Sequence, residues 1–294
     1  MPEILRMLRM PLYFVLSGLF FKDYGGFIQL LVKKTNKLLI PFLFFYLAAY
    51  LYRYALLYLA PNLVLTRNLN ILDIFYNNHG VNSPIWFLLA LYWCNLLFCT
   101  ISLSIKGEIY RLLAVLSIGA LGAISGHYNI FLPCHLDSAF TSLPFFYLGY
   151  ILKRSPLLYP NKYDKYNIIF VVALIVITSG IYLLCGKPYI DFLTNTISDY
   201  WPIVMCGCAS FVLAVLLLCK IVKRIPVISY LGRYSIVVLC IHSEVFSSLR
   251  NLGVHSTTVI TILVLLICWG CIPLFVKYLP WFTAQKDLIP MPKR

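Results

Sequence analysis

Three ionisable side chains lie inside apolar stretches of this sequence: Arg53, His242 and Glu244. A charge at membrane depth costs about 2.5–3.5 kcal/mol on insertion scales, so each is a candidate for function. His242 and Glu244 are two residues apart, which on a helix of 3.6 residues per turn sets them on nearly opposite sides. They cannot act as a dyad with each other, and each has two readings: an interhelical polar contact or a part in catalysis. The stretch KKTNKLLIPFLFF puts Lys33, Lys34 and Lys37 immediately before an apolar run. Helix N-terminal amides would add donors there for an anion such as a phosphate or pyrophosphate; basic anchoring at a membrane face is the competing reading. In LPCHLDSAFTSLPFFYLGYILKR, His135 and Asp137 could orient a polar acceptor or stand solvated in a loop, since His-x-Asp without a third partner decides neither. NSPIWFLLALYW opens with Asn82, Ser83 and Pro84, a capping start with Pro in the first turn. Trp86 and Trp93 share one face of that helix at i and i+7, which suits an interfacial aromatic belt or a platform for a sugar.

The elements that must position these groups follow from composition. Hydrophobic residues make up 61% of the 294 positions, charged residues 12%, and mean hydropathy is +0.86, far from a soluble domain. The expected fold is all-α, a polytopic transmembrane helix bundle forming a single domain over residues 1–294. About nine spans are expected, near 7–21, 38–60, 84–104, 112–125, 139–152, 167–185, 201–219, 234–249 and 257–276. The excess of 24 Lys+Arg over 10 Asp+Glu does not point to nucleic acid, because no solvated domain gathers the basic residues. It points to retention of positive charge in cytoplasmic loops. Connections after the first, third, fifth and seventh spans, with the tail after the ninth, hold 18 of the 24, among them Lys22, Lys106, Arg111, Lys153, Arg154, Lys220, Lys223, Arg224, Lys293 and Arg294. The remaining connections hold only Arg67, Lys187 and Arg250, and they carry His79, His127, His135, Asp137, Asp191, Asp199 and His255. Those loops are expected outside and the C-terminal tail in the cytoplasm.

This orientation leaves residues 1–6 outside the membrane, a free N-terminus bearing Arg6 and Arg9 with no signal peptide to export it, an expectation that a further helix precedes Met1. A short tail crossing by itself is the alternative. Most of the ten cysteines sit in apolar runs and act as small hydrophobes. Cys268-x-x-Cys271 lies within a span without a second ligand pair, so no metal is expected. Walker, HExxH, GxSxG and dinucleotide fingerprints do not occur.

RMPLYFVLSGLFF, VKKTNKLLIPFLFFYL, SPIWFLLALYW, HLDSAFTSLPFFYLGYILKR and ISYLGRYSIVVLCIHSEVF occur in this order. Together they resemble the integral-membrane acyltransferase 3 family, in particular its fucose 4-O-acetylase-like members. The resemblance implies a ten-helix bundle in the bacterial cytoplasmic (inner) membrane. It would move an acyl group from a cytoplasmic acyl-CoA, commonly acetyl-CoA as donor substrate, to a hydroxyl of a surface or exported glycan. It further implies a basic R-x-x-R cluster after the second span, matched here by Lys34-x-x-Lys37. Lysine keeps the charge and gives up the two-pronged geometry of arginine. The family's first-span histidine has no counterpart, because RMPLYFVLSG matches the second span. The catalytic residue is therefore unassigned, and the chain as given is expected to be inactive if that helix is lost. Lys33, Lys34 and Lys37 are the candidate donor contacts; His135, Asp137 and Trp86 are the candidate acceptor contacts. Membrane lipid, the glycan and acyl-CoA are the expected partners. A polysaccharide or small-molecule transporter fits the same composition, but no repeat relates the halves and few buried charges could couple ion flow. A non-catalytic membrane subunit is a third reading.

Overall fold

The computed structural model describes residues 3–59, 70–76, 81–162, 164–222 and 225–292. His79, Arg67, Lys223, Arg224, Lys293 and Arg294 lie outside the described residues. Among the described residues the architecture is all-α with one small hairpin, β1 (Ile190–Asp191) antiparallel to β2 (Thr196–Ile197). The helices are α1 (Arg6–Leu19), α2 (Phe27–Lys34), α3 (Ile40–Leu59), α4 (Trp86–Ser104), α5 (Glu108–His127), α6 (Leu136–Leu152), α7 (Asn167–Leu184), α8 (Trp201–Val222), α9 (Pro226–Arg233), α10 (Ser235–Asn251) and α11 (Thr257–Tyr278). A π-helical turn, Thr35–Leu39, joins α2 to α3 without a break.

Among the described residues six helices are long and apolar enough to cross a membrane: Phe27–Leu59, Ser83–Ser104, Glu108–His127, Asp164–Leu184, Trp201–Val222 and Thr257–Tyr278. The protein is an integral membrane protein. The other three expected spans are helices of 14, 17 and 17 residues, α1, α6 and α10. At 1.5 Å per residue α1 is about 21 Å long, less than the ~30 Å of hydrocarbon. These segments are helical for the same reason as the long ones, since a backbone away from water must satisfy its own N–H and C=O groups.

The chain divides into two compact units: residues 1–27 with 93–225, and residues 28–92 with 226–294. In the first, α1 packs on α6 and α8, α5 on α6, and α7 on α8. Small residues set the α1–α6 approach: a Cβ on Gly18 would overlap the Phe146 carbonyl, and one on Gly149 the Val15 carbonyl. Beside that crossing Phe21, Phe98, Phe146 and Tyr150 form an aromatic cluster, with Phe21 edge-on to Phe98 at 5.1 Å. In the second unit Ile260, Val264 and Cys268 of α11 form a core onto which Val238, Ile241, Val245 and Phe246 of α10 pack. The outward faces are apolar, as in α7, where Ile168, Ile169, Val172 and Val176 are exposed.

Gly149→Leu is expected to drive α1 from α6 and to cost about 1–3 kcal/mol of overpacking strain. A lowered Tm in detergent, set against the lipid-facing control Ile169→Ala, measures it.

Candidate functional site

The three lysines sit where α2 becomes the π turn. Lys33 and Lys34 end α2, and Lys37 lies inside the turn. The turn is closed by the Ile40 N–H on the Thr35 carbonyl, five residues back rather than four. Such widened turns occur mostly as single insertions and often at functional positions. The lysines are thus within a continuous helix rather than in a loop before its N-terminus, so free N-terminal amides do not supplement them.

Their partners come from the segment after α11. Lys33 Nζ lies 2.8 Å from Asp287 Oδ2 and Lys37 Nζ 3.0 Å from Asp287 Oδ1, so one carboxylate bridges both. Lys37 also donates to the Ala284 carbonyl at 2.6 Å. Asn36, fully buried between the two lysines in sequence, binds the segment by its backbone. Its Oδ1 accepts from the N–H groups of Leu288 and Ile289, both at 2.8 Å, and its Nδ2 donates to the Ile289 carbonyl at 2.9 Å and to Val32 O at 3.0 Å. Phe282 stacks on Phe44 with centroids 4.0 Å apart. The lysines beside Asp287, Lys33 first and then Lys37, hold its carboxyl below the usual carboxylate value. Lys34 has no ion-pair partner among the described residues, and Lys33 is its like-charged neighbour. The structure therefore brings Lys33 and Lys37 together on a shared counter-ion and leaves Lys34 beside them.

His135 and Asp137 are in the first unit, each 1% exposed, so the solvated-loop alternative does not describe them. Cys134 and His135 both take left-handed backbone conformations, φ 58° and 56°, immediately before α6. For a residue with a side chain this costs roughly 1–2 kcal/mol, and two in succession mark a turn the surrounding structure imposes. Along the start of α6, Asp137 Oδ1, Ser138 Oγ and Ser142 Oγ are buried with no hydrogen-bond partner among the described residues. Thr141 Oγ1 on the same helix donates to Asn195 Oδ1 at 2.7 Å, and Asn195 Nδ2 to the Gly122 carbonyl at 2.9 Å. Trp86 belongs to the second unit. It is buried in the protein and edge-on to Phe87.

The intramembrane charges resolve as an interhelical contact. Arg53 on α3 grips Glu244 on α10 with Nη2 at 2.9 Å from Oε1 and Nε at 3.2 Å from Oε2, and Tyr52 meets Ser248 at 2.8 Å. His242 turns away, its Nδ1 within 2.9 Å of the Val238 carbonyl and 3.0 Å of the Leu239 carbonyl. Those oxygens only accept, so Nδ1 carries the proton. Asn82 does not cap the helix it precedes. At φ 37° it is left-handed, and its Nδ2 donates to the Cys240 carbonyl at 2.7 Å. Among the described residues no group of three or more His, Cys, Asp or Glu side chains could hold a metal ion.

The sequence reading missed Asp287, Asn36, Ser138, Ser142 and Asn195. One signal for Asp287 was available: it is the only acid after Glu244, alone in a basic tail.

A protein-family model described as an acyltransferase domain, acyltransferase 3, matches residues 1–276. No curated protein and no solved structure matches this chain.

Three outcomes are expected of the lysine–tail contact. Asn36→Ala removes its three bonds to Leu288 and Ile289 and should free the tail at a cost of about 1–3 kcal/mol, seen as faster proteolysis there. Lys33→Met, breaking a partly exposed pair, should cost at most about 1 kcal/mol. The lowered Asp287 pKa gives a contribution complete at neutral pH, which disappears as pH falls below 3.8, the ordinary carboxylate value, through the depressed folded value. A spin label at Gln285 should be immobile from pH 8 to 5 and loosen only in acid.

Proposed function

Because the chain belongs to the acyltransferase 3 family, we propose that this enzyme moves an acyl group, usually acetyl, from acyl-CoA on the cytoplasmic side to a hydroxyl of a surface or exported glycan in a bacterial inner membrane. Acyl transfer as such follows from the family; donor, acceptor and sidedness are the proposed part. The observation that carries the reading is the family match across 276 of 294 residues. The acceptor oxygen attacks the thioester carbonyl, the C–S bond breaks, an ester forms, and the hydroxyl proton ends on the released coenzyme A thiol.

Residues 1–294 are taken as one acyltransferase-like domain. Lys33, Lys34 and Lys37 take the coenzyme phosphates, the role supported by three cationic groups gathered on one turn. An ammonium gives charge without bidentate geometry, so binding should rest on several such contacts rather than one. His135 and Asp137, with the Ser138 and Ser142 hydroxyls near them in sequence, which have no partner among the described residues, are the acceptor contacts. Two strained backbone positions and three unsatisfied buried oxygens support that role, since natural structures tolerate such features mainly at functional positions. Trp86 is a further acceptor contact. The transferring base is unassigned.

In protein reconstituted in nanodiscs, Lys34→Met is expected to weaken acetyl-CoA binding about tenfold, the value of one charge-assisted contact, with Tm unchanged. Asp137→Asn is expected to lower transfer at unchanged acetyl-CoA affinity. Intact-glycan mass spectra that show no acetyl difference between cells with and without the protein would refute the acceptor class.

A further inference from the structure

The segment from Phe282 to Ile289 is held unevenly. Its two ends are anchored by buried or stacked contacts, Phe282 on Phe44 and the Leu288 and Ile289 backbone on Asn36. Its middle is held to the helix by the Lys37–Ala284 bond and the two Asp287 ion pairs, whose side chains are each 26% exposed. Partly exposed pairs of this kind contribute little, about 0–1 kcal/mol each. The docked middle is also strained, because Ala284 sits at φ 61°, a left-handed conformation costing an alanine about 1–2 kcal/mol. The Gln285 and Lys286 N–H groups fold back on the carbonyl of Pro280, ahead of the strap, a turn that depends on the left-handed Ala284, so releasing Ala284 opens those two bonds. Firm ends, a weakly held middle and a strained hinge describe an element with two arrangements.

The middle presents a carboxylate to two ammonium groups, the chemistry a phosphate would offer. We propose that Asp287 is the resident counter-anion of the donor site. In this arrangement the strap 283–287 lies on Lys33 and Lys37 when no donor is bound, and the donor's phosphates lift it off. This rests on the reading of the lysines as donor contacts. Asp287 then sets specificity: a monoanion gains no more than the carboxylate it replaces, whereas a ligand with two or more phosphate charges outbids it. Releasing Ala284 from its left-handed conformation helps the exchange, and Asn36 and Phe44 keep the strap tethered for return.

The test uses the full chain in detergent or nanodiscs, with coenzyme A, inorganic pyrophosphate and acetate as probes. Calorimetry gives the affinities, and hydrogen–deuterium exchange follows the amides of 283–287. If the strap covers the lysines about nine-tenths of the time, removing its charge raises apparent affinity roughly tenfold. Asp287→Asn should therefore bind coenzyme A about tenfold tighter than the parent, and Asp287→Glu should return to the parental value. In the parent, coenzyme A and pyrophosphate should speed exchange at 283–287 while leaving 288–289 protected, and acetate should do neither. Equal or weaker binding by Asp287→Asn, with Tm held, makes Asp287 a permanent brace and overturns the proposal, as does slowed or unchanged exchange in the parent. If neither protein binds coenzyme A, the donor reading fails. Pyrophosphate then decides the exchange by itself: faster exchange at 283–287 upholds it, and no change refutes it.

Discussion

Removing a peptide group from water without giving it a partner costs more than almost any single contact can return, and that constraint shapes this chain. It makes the apolar runs helical whether or not they are long enough to cross the bilayer, including the 14-residue α1. It also decides how polar side chains survive inside the helices. Thr100, Thr178 and Ser248 each return a hydroxyl to the carbonyl four residues back. With no hydrophobic drive between helices in lipid, close contact has to come from shape. The glycines at the α1–α6 crossing meet that need, since neither position has room for a Cβ.

Charge is the second organising quantity, because acids are scarce and each one chooses which cations it quiets. Glu244 takes Arg53, Asp164 takes Lys220, Glu108 takes Arg154, and Asp287 takes two lysines. The Arg53–Glu244 pair is two-pronged, so it fixes the rotation of α3 against α10 as well as their separation. Such a pair adds little net stability over an apolar contact, yet losing one partner strands the other. Its value in this unit is orientational.

What could be read beforehand was local. Apolar run length gave the helices, and the placement of Lys33, Lys34 and Lys37 identified a cationic cluster from a few adjacent letters. The incompatibility of His242 with Glu244 followed from helix geometry, and the two do go to different partners. What escaped depends on distant residues. Lys33 and Asp287 are 254 positions apart, and nothing near either predicts the other. His135 and Asp137 read as a loop pair because LPCH lacks the glycine that a left-handed turn ordinarily requires. The fold imposes that turn regardless and takes both residues out of solvent. Asn82 departs from a cap for a related reason: its backbone is left-handed and its amide nitrogen donates to the Cys240 carbonyl of α10, while its side chain makes no bond to the N–H groups of its own helix.

The π turn at Thr35–Leu39 gives the helix Phe27–Leu59 two angular phases joined by one surplus residue. Before the seam lies Lys33, facing Asp287; beyond it lies Arg53, facing Glu244. Excising a single residue from the seam would restore an ordinary winding and swing one half by about 100° against the other. The helix could then keep its electrostatic partner at one end only. The length of this segment, as much as the identity of its residues, is therefore something the protein is not free to change.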